Sequence, residues 1–91
     1  MKGYVYILLC RDGRRYCGST NDLLRRLAEH RAGMVRSTKP RLPVSLVYYE
    51  ECQTLEQARQ REHSLKNGRT RKKALDLMTS AFPRDKLAPL A

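Results

Sequence analysis

The chain has 91 residues, and 19 Lys or Arg against 9 Asp or Glu leave it a net charge of +10. That length makes one small domain, near the lower end of what folds without metal or disulfide support. The basic excess favours nucleic acid or an anionic membrane surface over a small neutral ligand, while no apolar run approaches the roughly 18 residues of a membrane span.

The chain opens on Gly3-Tyr4-Val5-Tyr6-Ile7-Leu8-Leu9-Cys10, rich in β-branched and aromatic types, which predicts a strand over residues 3–10. This stretch lacks the charged, then apolar, then small-residue order of a signal peptide, so a cytoplasmic location is the expectation. Asp12-Gly13 gives a turn, and Tyr16 to Ser19 reads as the return strand of a hairpin. Thr20 or Asn21 can cap a helix that runs to about Ala32 and stops at Gly33. Leu24, Leu27 and Ala28 form its expected apolar stripe, with Arg26 and His30 as neighbours one turn apart on an adjacent face.

Residues 34–43 read as a loop carrying Arg36, Lys39 and Arg41, with Pro40 and Pro43 as punctuation. Val44 to Glu51 predicts a third strand. Thr54 followed by Gln57 is a capping box, and it opens a helix from Leu55 to Lys66 that ends at Asn67-Gly68. Thr70 caps a last helix through about Met78, and from Pro83 the chain reads as a loose tail. The order ββαβαα describes an α+β fold: a single domain over residues 1–80, with a three-stranded antiparallel sheet flanked by helices, then a tail over 81–91. Cys10, Cys17 and Cys52 are odd in number and lack Cys-x-x-Cys spacing, which argues against a disulfide framework and a zinc knuckle.

Glu62 is the most informative single residue. Leu55, Ala58, Glu62 and Leu65 fall at 3-4-3 spacing, so one helical stripe carries three core-type side chains and a carboxylate. A buried carboxylate without a partner costs several kcal/mol. It is therefore either paired with an Arg or Lys, or it stands at the edge of a site and binds a metal. A helical arginine in so basic a chain is usually solvated; the His30 imidazole one turn on and the nearby helix N-terminus, whose amides attract anions, raise the reading of Arg26 as a phosphate ligand. His30 is a half-buried histidine or a site residue, and Tyr6 and Tyr16 are sheet aromatics or participants in chemistry.

As an ordered set these residues resemble the GIY-YIG nuclease superfamily. Its members include intron homing endonucleases and the N-terminal nuclease of the bacterial excision-repair incision subunit. Tyr4-Val5-Tyr6 corresponds to the first motif and Tyr16-Cys17-Gly18 to the second. The family arginine, ten positions after the second-motif tyrosine, falls on Arg26, and a frequent histidine four further on falls on His30. The family glutamate matches Glu62 within Arg61-Glu62-His63-Ser64-Leu65-Lys66. The resemblance covers residues 3 to about 78 and is greatest to short stand-alone bacterial members. Tyr4 replaces the first-motif glycine and Cys17 the middle of the second, while both tyrosines and Gly18 remain.

The resemblance implies a metal-dependent endonuclease that hydrolyses phosphodiester bonds. Glu62 would hold one Mg²⁺ or Mn²⁺ to offset leaving-group charge, and Tyr6 or Tyr16 would deprotonate or orient the attacking water. Arg26 would clamp the scissile phosphate through its fork, and His30 would orient the water or a tyrosine. Gly18 would allow close backbone approach. Arg36, Lys39, Arg41, Lys66, Arg69 and Arg71 could track phosphates. With no recognition helix or stacking platform, sequence specificity is expected to be low and structure selectivity is open. DNA is favoured over RNA as substrate, a protein partner could supply specificity, and repair is a family-level pathway expectation. The alternative is a nucleic-acid-binding module with little or no catalysis.

Overall fold

A computed structural model describes residues 2–67 and 71–90, without the side chains of Arg71 and Lys72. Three strands, β1 (Gly3–Cys10), β2 (Arg15–Thr20) and β3 (Val44–Cys52), form one antiparallel sheet in the order β2-β1-β3. β1 is central, and β2 is an edge strand whose outer side carries no partner strand among the described residues. Helices α1 (Leu23–Arg31), α2 (Leu55–Lys66) and α3 (Arg71–Ala81) follow in the expected ββαβαα order.

Alternation along β1 sorts its side chains to two covered faces, which is why almost the whole strand is buried. Val5 and Ile7 pack with Cys17, Ala58 and Leu75, beneath α2 and α3. Tyr6 and Leu8 pack on the other face with Leu23, Leu27 and Leu46, beneath α1. The register between β1 and β2 sets Tyr6 opposite Gly18, Leu8 opposite Tyr16 and Val5 opposite Ser19. On β2, Tyr16, Gly18 and Thr20 accordingly lie on the α1 side, while Cys17 and Ser19 lie on the α2 side.

Three details differ from the sequence reading. The α1 cap is Asp22, whose carboxylate accepts the Arg25 amide at 3.1 Å, not Thr20 or Asn21. Thr20 is still strand, and its hydroxyl instead accepts the Asp22 amide at 3.1 Å to shape the strand–helix junction. The buried stripe of α1 is Leu23, Leu27 and His30, so Leu24 (61% exposed) and Ala28 face outward. Either leucine of the 23–24 pair could have set the helical phase, and His30 fills the third apolar slot. Finally, the segment after Pro83 forms 3-10 turns at Arg84–Lys86 and Ala88–Leu90. Leu87 and Leu90 pack against the Tyr6 cluster, and Arg31 donates to the Leu90 carbonyl at 3.1 Å.

α2 begins and ends as expected. The Thr54 hydroxyl accepts the Gln57 amide at 3.1 Å, and Asn67 closes the last turn. Gly68, Arg69 and Thr70 fall outside the described residues. Gly33, with φ of +76°, ends α1. No helix among the described residues is long and apolar enough to cross a membrane.

Candidate active site on the edge strand

The expected site residues gather around β2 in two groups, one on each face of the sheet. On the α1 side, the Tyr6 hydroxyl lies 2.8 Å from His30 Nε2, and His30 Nδ1 lies 2.8 Å from Thr38 Oγ1. Tyr6 is 1% exposed, and His30 and Thr38 are fully buried. The Thr38 hydroxyl directs its own proton to the Val35 carbonyl at 3.5 Å, so it accepts from His30 Nδ1–H. His30 Nε2 is then the acceptor for the Tyr6 O–H, giving a donor chain from tyrosine through imidazole and threonine to backbone.

Burial and charge tune this group strongly. Burial pushes the Tyr6 phenol up to about 12, although hydrogen bonding from Arg26 and its positive charge act against it. Burial, with help from Arg26, holds His30 down at about 4, so the imidazole is neutral at pH 7. Arg26 itself is tied to Glu29 Oε1 at 3.0 Å, with its side chain one-third exposed.

On the α2 side, Ser19 Oγ donates to Glu62 Oε1 at 2.5 Å, and Lys66 Nζ donates to Glu62 Oε2 at 2.5 Å. Glu62 thus meets the first of its two expectations as a partnered carboxylate, and its partner is a lysine one turn on. The same ammonium lies 5.7 Å from the centroid of the Tyr16 ring. Tyr16 is half-buried, with its ring 5.2 Å from that of His30 and 6.4 Å from that of Tyr6, so it bridges the two groups. Arg61, beside Glu62, turns away to make a two-pronged pair with Glu50 at 3.0 and 3.1 Å.

Among the described residues, the basic side chains expected to track phosphates lie in different surroundings. Arg36 and Lys39 are exposed on the loop after α1. Arg41 reaches the hairpin turn, 3.6 Å from Asp12, and Lys66 is engaged with Glu62. Arg69 and the Arg71 side chain lie outside what is described. Two residues of the arrangement had no assigned role in the sequence, Ser19 and Thr38. Strict alternation along β2 was the signal for Ser19, since it turns away from Tyr16 and Gly18 toward the helix that carries Glu62. Thr38 sits in an aperiodic loop and gave none.

The GIY-YIG catalytic domain matches residues 2–74 of this chain. The chain belongs to the GIY-YIG family. Its motif segments are thus adjacent strands, with the first-motif tyrosine, Tyr6, directly opposite the second-motif glycine, Gly18. The Tyr4 that replaces the first-motif glycine is half-buried and donates to Glu51 Oε1 at 3.2 Å. GIY-YIG domains are nuclease domains that act on nucleic acid, generally with a divalent metal ion. The chain is 45% identical over 75 residues to a UPF0213 protein of Streptococcus pyogenes serotype M5, covering 81% of this chain and 82% of that protein. Two solution NMR structures are also similar. A UPF0213 protein from Bacillus halodurans superimposes with a TM-score of 0.53 at 38% identity, over 82% of each chain. A protein from E. faecalis gives 0.54 at 30% identity, over 91% of this chain and 92% of its own.

Proposed function

We propose that this GIY-YIG protein is a metal-dependent endonuclease that hydrolyses DNA with low sequence specificity. The observation that carries the reading is the Ser19–Glu62 hydrogen bond of 2.5 Å, which tethers a carboxylate to the same edge strand that carries Tyr16 and covers Tyr6. Gly18 and Ser19 are successive residues turned to opposite faces, so the carboxylate group and the Tyr6–His30 group meet across one peptide unit.

The residues fit a hard divalent cation. Glu62 Oε2 already holds a cation, the Lys66 ammonium, and among the described residues no three His, Cys, Asp or Glu side chains cluster as a closed metal cage. A single carboxylate suits Mg²⁺ or Mn²⁺, which keep most of their waters. When bound at Glu62, the ion supplies charge neutralisation for the departing 3′ oxygen.

The protein's own groups divide the remaining work. Tyr16 orients the attacking water through its hydroxyl, because Tyr16 is half-buried whereas Tyr6 is closed off from solvent. Tyr6 keeps its proton and donates it to His30 Nε2, so both act as positioning residues beneath the site. Arg26 exchanges its Glu29 contact for the scissile phosphate, to which a guanidinium offers two parallel donors. Arg36, Lys39, Arg41, Lys66, Arg69 and Arg71 add contacts to the backbone, which carry no base identity and leave selectivity to nucleic-acid shape or to a protein partner.

The test is cleavage of labelled single-stranded, duplex, flap and branched DNAs, with matching RNAs, in Mg²⁺, Mn²⁺ or EDTA. Wild type runs beside Glu62→Ala and Arg26→Ala. Cutting that needs metal and disappears in both variants is the expected result. Tight binding with no cutting under any condition points instead to a nucleic-acid-binding module.

A further inference from the structure

Between the start of α1 and the start of α2 lies an open cleft of about 290 Å³, floored by the end of β2 and walled by Arg25, Arg26 and Arg59. Among the described residues no carboxylate lines it. Some other arginines have acidic partners: Arg61 pairs with Glu50, Arg15 with Asp76, and Arg41 and Arg14 share Asp12. This cleft gathers three guanidiniums at one place. Arg25 and Arg26 share one carboxylate, Glu29, at 3.9 and 3.0 Å. Arg59, exposed on α2, has no ion pair or hydrogen bond among the described residues. A concave site holding three guanidiniums against one shared acid is a site for an anion, and the planar fork of arginine matches phosphate oxygens.

The cleft also adjoins the proposed chemistry. Ser19, one of its lining residues, is the residue that holds Glu62, and Arg26 lines it as well. An anion bound there is a neighbour of the scissile phosphate. We infer that Arg59 and Arg25 grip a backbone phosphate flanking the scissile one, so that the cleft takes a continuous nucleic-acid strand and not a free nucleotide. This rests on the nuclease reading for its geometry, but its binding part stands without catalysis. Among the described residues, Arg36, Lys39, Arg41 and Lys66 do not line this cleft.

The experiment measures affinity for a labelled oligonucleotide over a series of salt concentrations in EDTA, followed by cleavage kinetics in Mn²⁺. Full-length Arg59→Ala, Arg59→Lys and Arg25→Ala are compared with Arg14→Ala, an equal charge loss at the hairpin turn on the opposite end of β2. Exposed positions were chosen so that thermal melting verifies an intact fold. For one lost phosphate contact, the log–log salt slope of Arg59→Ala falls by about 1 and its affinity drops roughly 5- to 10-fold. Arg59→Lys recovers the slope but only part of the affinity, and any effect on cleavage falls on KM more than on kcat. Arg14→Ala leaves slope and affinity at wild-type values, and a mononucleotide at equal phosphate concentration fails to compete. The inference is overturned if Arg59→Ala and Arg14→Ala share slope and affinity, if the mononucleotide competes as well as the strand, or if wild type binds no oligonucleotide. Should wild type bind but never cut while the Arg59 slope change persists, the nuclease reading falls and the cleft assignment stands.

Discussion

The Tyr6 hydroxyl occupies the space in which a Cβ on Gly18 would stand, 2.5 Å from that position, with Cζ at 2.7 Å. The tyrosine of one motif and the glycine of the other are thus a single steric unit, directly opposed in the register of β1 and β2. Gly18→Ala must displace either the phenol or the edge strand, and the phenol is fixed at its far end by His30. Overpacking of this kind costs about 1–3 kcal/mol, so the urea midpoint of Gly18→Ala should fall by that equivalent. Cleavage should fall further than stability alone explains, because moving Tyr6 also moves His30. An alanine variant with wild-type midpoint and rate would show that the strand yields freely.

His30 makes folding sensitive to mild acid. Its native value is about 4 against 6.5 in the unfolded chain, so between those values the unfolded state binds a proton that the native state refuses. Stability contributed by the neutral, buried imidazole is therefore complete above about pH 6.5 and lost as pH falls toward 4. Over that window the loss can reach about 3 kcal/mol. Urea unfolding between pH 7.5 and 4.5 should show it, and His30→Gln, which cannot titrate, should be flatter between pH 7 and 5. Equal slopes for the two proteins would remove His30 as the source.

Much of this arrangement was legible because it follows local periodicity. The alternation of β1, the Thr54 cap and the 3-4-3 stripe that put Glu62 toward the core all translate directly into structure. What escaped reading depends on contacts between distant segments. Thr38 is fully buried because it meets His30 from a loop, and nothing in the loop's own composition distinguishes it from Ser37. The phase of α1 was ambiguous because Leu23 and Leu24 are adjacent, and a histidine completes the buried stripe. The family motifs marked Arg26 and Glu62, but which partners hold them, Glu29 in one case and Ser19 with Lys66 in the other, is tertiary information.

Lys66 is a built-in competitor for a divalent cation at Glu62. Its ammonium contacts Oε2 at 2.5 Å, and the pair is partly open to solvent, with side-chain exposures of 40% and 21%. Pairs of this kind are worth up to about 1 kcal/mol. Lys66→Met should therefore tighten Mn²⁺ binding by up to about fivefold, measured by Mn²⁺ electron paramagnetic resonance without nucleic acid. It should at the same time weaken oligonucleotide affinity, since one phosphate-seeking charge is gone. Unchanged or weaker Mn²⁺ binding would mean that the ion does not displace the ammonium from the carboxylate.

Ser19 earns a prediction separate from that of the glutamate it holds. Ser19→Ala leaves Glu62 paired with Lys66 but frees Oε1 to swing. Mn²⁺ affinity should then fall modestly, of the order of the 10- to 100-fold effect of losing an outer-shell partner. Glu62→Gln should abolish detectable Mn²⁺ binding while keeping oligonucleotide affinity. If Ser19→Ala binds Mn²⁺ as wild type does, the short hydrogen bond orients nothing that matters to the ion.

The two motif tyrosines should separate by experiment, because their surroundings differ. Tyr16 is half-buried and its partners are rings and a lysine at ring distance, so Tyr16→Phe removes a hydroxyl that the core does not require. If Tyr16 handles the attacking water, this variant should fold with a near-normal urea midpoint and lose roughly 10²- to 10⁴-fold in single-turnover rate. Tyr6→Phe removes the donor that satisfies buried His30 Nε2, and an orphaned buried acceptor costs about 1–3 kcal/mol. Its defect should therefore show first in stability, with a rate loss that grows as pH falls and the unpaired imidazole protonates more readily. The reverse pattern, a stable but inactive Tyr6→Phe beside an active Tyr16→Phe, would transfer the water to Tyr6 and make Tyr16 the packing residue.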